Sequence, residues 1–311
     1  MRGRLTLPAP PTVPAALTLL AALALTLPSV GGGAAAAAVG RARDPARALS
    51  SARAPEAAPV PDPARARPAA SASTAITARL HASFSPDRLG APTTIGFGFT
   101  VRTANGLAPP PLTGMDLQMP AGMDYLHTTL GLATCTAKRV IAKGAKGCPI
   151  NSVLGYGRAF VEVPFGKGAG KELPEIEAFM GPPVHEHMVV LFYANGQQPV
   201  YAQIAFSGQV LPDSGIFGSQ LETVIPLVRS VTDGPDVSIV RVSATLGPNG
   251  VLYRKRVHGR IRRFHPRGIA VPLRCPKGGF PFEASFTFED GSSATASTRV
   301  PCPAPLRRAF G

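Results

Sequence analysis

The stretch that decides the fold is 188-MVVLFYANGQQPVYAQIAF-206. Residues 188–194 are an unbroken apolar run, Asn195-Gly196 is a turn dipeptide, and Val200, Ala202, Ile204 and Phe206 alternate on the way back. That order predicts a β-hairpin whose first strand is buried. The same grammar recurs on both sides of it. Ile76, Ala78, Leu80, Ala82 and Phe84 alternate, as do Ile95, Phe97, Phe99 and Val101, before the turn signal Asn105-Gly106. Further strands are expected at 115–119, 153–163, 221–228 and 237–246. Phe282, Ala284, Phe286 and Phe288 form a one-faced strand, Asp290-Gly291 turns it, and residues 294–300 return. Residues 136–143 are the one good helical candidate, and a short one. Many short strands with frequent turns and almost no helix predict an all-β, antiparallel sandwich.

The chain before residue 76 has a different composition. Arg2 and Arg4 precede an uncharged apolar stretch at 15–27, which Pro28 and Gly31–Gly33 break, and Ala36-Ala37-Ala38 offers a cleavage site. This is the grammar of a secretory signal peptide over 1–38, too short in its apolar part to span a bilayer. Cleavage and retention as an anchor are both open. Residues 39–75, built mostly of Ala, Arg, Pro and Ser, bury too little apolar surface to offset ordering entropy and are expected to be a disordered tether. The sandwich then occupies 76–311, with a division into two domains left open near 166–171.

Four cysteines follow, an even number in a chain expected outside the cytoplasm. Three pairings are formally open. Cys135–Cys148 and Cys275–Cys302 are favoured because each closes a loop with turn content, contributing about 3 and about 3.6 kcal/mol through chain entropy. The run Cys135…Cys148-Pro149-Ile150-Asn151-Ser152-Val153-Leu154-Gly155 resembles a C…CP-x-x-S-x-x-G element of exported actinobacterial proteins. The segments 84-FSPDRLG-90 and 286-FTFEDG-291 are similar to the same group. The resemblance implies a bacterial, Ig-like β-sandwich and carries no activity, ligand or catalytic residue.

The chain has a formal charge of +14, and its basic excess is local. Residues 253–267 hold seven basic side chains and no acid. If 253–263 were one strand, a period of two would place Arg254, Arg256, Arg260 and Arg262, with His258, on one face. A row of guanidiniums offers planar donor forks to phosphate or carboxylate. The expected partner is an anionic envelope polymer or lipid surface rather than a specific nucleic acid. The plainer reading is a solvated edge strand protected from aggregation by its charge.

Other constellations are weaker. In a strand, His185 and His187 would share a side, with His258 or His265 as a distant third metal ligand, and no carboxylate completes the set. Gly166-Lys167-Gly168-Ala169-Gly170-Lys171 fails as a phosphate loop, because the spacing is wrong and Glu172 stands where Ser or Thr is needed. Asp213-Ser214-Gly215 lacks a nucleophile elbow, and Glu162, Glu175, Glu177 and Glu283 cannot be paired from sequence. No cofactor motif is present. The leading expectation is an exported, non-enzymatic, envelope-associated or secreted protein. A secreted hydrolase with a site invisible in one dimension and a purely structural surface module are the alternatives. Oligomeric state is not legible.

Overall fold

A computed structural model describes residues 75–125, 130–165, 168–198, 201–231 and 233–303. The expected signal peptide and tether lie outside the described residues, apart from Ala75. The strands are β1 (Ile76–Ser85), β2 (Pro92–Thr103), β3 (Leu112–Pro120), β4 (Val153–Phe165), β5 (Gly168–Glu172), β6 (Glu175–Met180) and β7 (Met188–Gly196). They continue as β8 (Ala202–Pro212), β9 (Phe217–Val224), β10 (Ser238–Leu246), β11 (Tyr253–Val257), β12 (Arg260–Phe264), β13 (Ile269–Ala270), β14 (Phe280–Phe288) and β15 (Ser293–Val300). Helix α1 (Ala137–Lys143) opens at Thr136, whose side chain accepts from Arg139 N as an N-cap.

The all-β, antiparallel class, the short helix and both disulfides stand as expected. Cys135–Cys148 and Cys275–Cys302 are bonded, with Cα separations of 5.4 and 5.8 Å. The two facing sheets of an Ig-like sandwich are not what the strand order gives. Thirteen strands form one sheet in the order β1-β2-β10-β4-β6-β7-β8-β9-β3-β14-β15, with β5 added on β4 and β13 on β2. The sheet curls until β15 lies beside β1, giving a nearly closed barrel. Alternating patterns specify a face for each strand but not whether the sheet splits or rolls. Strands from either side of residues 166–171 interleave in this sheet, β10 between β2 and β4 and β3 between β9 and β14, so the chain does not divide there.

The quoted hairpin forms, but its turn lies further out. Gly196 pairs with Ala202, so Asn195-Gly196 belongs to the strand and the connection begins at Gln197. The backbone N–H groups of Gln197 and Gln198 donate to Glu172 Oε1 at 2.6 and 3.2 Å, which anchors the start of the connection. The unbroken apolar run is explained by burial on both faces. Val190 and Phe192 point into the main core, whereas Leu191 and Tyr193 join a second, smaller core on the outside.

Inside the barrel the two sides differ. Phe84 packs on Phe280 and Phe282 at 5.3 and 5.9 Å, and Phe99 on Phe286 at 4.8 Å, filling the space between β1–β2 and β14. On the other side β4, β6 and β10 present smaller side chains, and beside the stacked Phe192 and Phe206 a partly open cavity of about 140 Å³ remains.

Candidate anion-binding face

The segment expected as one basic strand is a two-stranded ribbon apart from the barrel sheet. His258 and Gly259 connect β11 to β12 with φ values of 48° and 78°, the left-handed pair that a two-residue hairpin turn requires. The register sets Tyr253 opposite Phe264, Arg254 opposite Arg263, Lys255 opposite Arg262, Arg256 opposite Ile261 and Val257 opposite Arg260. Opposed residues share a face. Arg254 and Arg256 therefore lie with Arg263 on one side, and Arg260 and Arg262 lie with Lys255 on the other. The single row of four arginines is corrected to two clusters, because His258-Gly259 interrupts the period of two that the row assumed.

The ribbon is held at its base. Tyr253 is fully buried and its hydroxyl donates to Val153 O at 2.7 Å. Burial pushes the Tyr253 phenol well above its ordinary range, so it stays a neutral donor. Asn151 grips the first strand with both ends of its amide, donating to Arg254 O at 2.6 Å and accepting from Arg254 N at 2.8 Å. Tyr253 and Phe264 meet edge to face at 6.1 Å, and Lys255 Nζ sits 5.1 Å from the centre of the Phe264 ring. Beyond this base, Arg254, Lys255, Arg256, Arg260, Arg262 and Arg263 are exposed.

The second core brings another basic segment alongside. Val140 of α1, the Cys135–Cys148 disulfide and Ala145 pack in one cluster with Tyr253, Phe264, Phe179 and Leu191. Lys138, Arg139, Lys143 and Lys146 ride on that segment. The two segments that cover this core, 130–155 and 247–268, carry eleven basic residues and no acid. Exposed Ile141 and Ile261 are interspersed among these cations. Spacing could not have revealed this union, since Asn151 and Arg254 are 103 residues apart.

The two covering segments bring no acid of their own, and β6 beneath them carries Glu177 opposite Tyr193 of the same core. Arg254–Arg263 and Lys255–Arg262 are like charges directly across a ladder, an arrangement that destabilises the ribbon unless an anion sits between them. The described ion pairs, Arg158–Glu175 at 3.8 Å and Arg229–Asp233 at 3.7 Å, lie elsewhere.

The remaining candidates separate. His185 and Glu186 form a tight turn with φ values of 48° and 67°, closed by hydrogen bonds between Val184 and His187, so the two histidines do not share a strand face. Among the described residues no group of three His, Cys, Asp or Glu side chains could hold a metal ion. The glycine-rich stretch pairs β5 back on β4, Phe165 with Gly168 and Val161 with Glu172, and serves as a hairpin. Asp213 accepts from Ser214 N at 2.7 Å and from Gln118 Nε2 at 2.8 Å, which makes it a turn-holding carboxylate. Glu175 and Glu177 follow each other on β6, and burial, then the Glu175 charge, pushes the Glu177 carboxyl above its usual value. Glu283 lies on β14, opposite Gln118 and Ser297 of its neighbouring strands.

Comparison with protein-family models, curated proteins and solved structures finds no match to this chain.

Proposed function

We propose that this is an exported, non-enzymatic protein that binds an anionic surface of the cell envelope through the face formed by the β11–β12 ribbon and α1. The observation that carries the reading is that the two segments covering one small core bring eleven cations and no acid of their own, with like charges opposed across the ribbon. The disulfides fit an oxidising compartment, and no helix among the described residues is long and apolar enough to cross a membrane. Exposed Ile141 and Ile261 among the cations favour a lipid headgroup region over a soluble polymer, because apolar side chains between Lys and Arg suit the interface of a bilayer.

The experiment is co-sedimentation of the exported chain with phosphatidylglycerol vesicles, phosphatidylcholine vesicles and isolated envelope polymer across a salt series. Binding to the phosphatidylglycerol vesicles that falls steeply with salt is expected. Serine at Arg254, Arg256, Arg260 and Arg262 should remove it, at about 1 kcal/mol per cation near the surface. Lys138→Gln and Lys143→Gln in the otherwise unchanged chain should weaken it as well, which a ribbon acting alone does not predict. Equal binding to phosphatidylcholine, or full binding by the serine variant, contradicts the reading. Binding to polymer alone would keep the face and change the partner.

A further inference from the structure

The hollow side of the barrel lies across the wall from the basic face and shares no side chain with it. Its lining is contributed by inward positions of β2, β3, β4, β6, β7, β8, β9 and β10, nearly all apolar. Small inward residues such as Ala159, Ala194, Ala202 and Ala244 leave space between Phe97 and Phe99 of β2 and Phe192 and Phe206 of β7 and β8. The hollow is partly open toward Leu227, which is exposed, and an apolar cavity of comparable volume takes up benzene. Leaving it empty forfeits dispersion contacts around the whole lining. Such a void among strands that alternate regularly suits an apolar guest.

Two polar side chains interrupt the lining, and they differ in kind. The buried Glu172 carboxylate at the rim already accepts the N–H groups of Gln197 and Gln198. Thr223, 2 % exposed on β9, has a hydroxyl with no hydrogen-bond partner among the described residues. A buried hydroxyl without a partner is costly, and native structures rarely keep one. Opposite it on β8 stands Gly208. A Cβ placed there would lie 2.5 Å from Thr223 Oγ1 and 2.8 Å from Leu221 Cδ1. Glycine therefore keeps open the space beside the hydroxyl.

We infer that the hollow side of the barrel is a binding chamber for a small, mainly apolar molecule carrying one hydroxyl or carbonyl oxygen, which pairs with Thr223. The apolar body takes the volume and supplies affinity by burial, and the single oxygen fixes orientation. Because Thr Oγ1 both donates and accepts, a hydroxyl and a carbonyl are equally served. This site is independent of surface binding and neither needs the other.

The test is calorimetric titration of the full exported chain with toluene and with 4-methylphenol, which share an apolar body and differ by one hydroxyl. Saturable binding of both is expected. Thr223→Val should weaken 4-methylphenol by roughly tenfold or more, since its hydroxyl is then buried unpaired, and leave toluene unchanged. Ala244→Leu should weaken both by filling the chamber. Gly208→Ala, with its methyl against Thr223, serves the same purpose if the leucine variant fails to fold. No saturable binding of either compound, or binding undiminished in both filling variants, overturns the chamber. Equal loss of both compounds in Thr223→Val overturns the role given to the hydroxyl.

Discussion

The two sides of the barrel interior follow one alternating pattern and end differently. On the side of β1, β2 and β14 the inward positions are phenylalanines, packed ring on ring. On the side of β4 and β10 they are mostly alanine, valine, isoleucine and leucine, and beside Phe192 and Phe206 of β7 and β8 a cavity remains. Period two chooses which residues face inward, whereas side-chain volume decides whether the interior is solid or hollow. The outer face repeats the lesson. The two segments that cover the small second core bring cations and no acid, whereas β6 beneath them carries Glu175 and Glu177.

The filled side is broken most severely by removing a ring. Phe282→Ala, at a site 1 % exposed, should lose about 3–5 kcal/mol of stability in a urea titration. A loss below about 1 kcal/mol would mean that the filled side is not close-packed. Next in size is the disulfide that ties the end of β15 back to the segment before β14. Replacing Cys275 and Cys302 by serine should lower stability by about 3.6 kcal/mol from loop entropy, read from the urea midpoint at constant slope.

The contrast itself is sharpened by adding one side chain to each half. Ala284→Leu inserts bulk where nothing is exposed and should destabilise by about 1–3 kcal/mol, whereas Ala244→Leu fills the cavity and should be neutral or stabilising. Equal losses in the two variants would erase the distinction between the halves. The smallest effect concerns Glu177. Its folded carboxyl is held above the ordinary value by burial and then by Glu175, so the folded state binds more protons than the unfolded one between the two values. Stability should therefore fall as pH rises through that window, and Glu177→Gln should remove this slope and raise Tm slightly at neutral pH. A slope unchanged in the variant would assign it to another group.

Most strands were legible because alternation is strong at 76–84, 93–101 and 282–288, where one face is core and the other solvent. Strand β6 was missed, since Glu175-Ile176-Glu177 reads as solvated and its burial depends on β4 and β7 beside it. The rolled sheet was read as a sandwich because β10 and β3 insert between strands remote in sequence, which no local pattern encodes. The basic segment was visible, but its turn was not. His258-Gly259 is a weaker signal than Asn-Gly, and the real Asn195-Gly196 proved to be strand. The partnership of α1 with the ribbon and the unpaired Thr223 hydroxyl arise only from tertiary packing.

The central claim, that one side of this barrel is solid and the other hollow, is tested most directly by pressure unfolding of the wild type, Ala244→Leu and Ala284→Leu. Unfolding volume scales with the internal void that unfolding eliminates. The account predicts a clearly less negative volume change for Ala244→Leu and an unchanged one for Ala284→Leu. The same volume change for Ala244→Leu as for the wild type would contradict it.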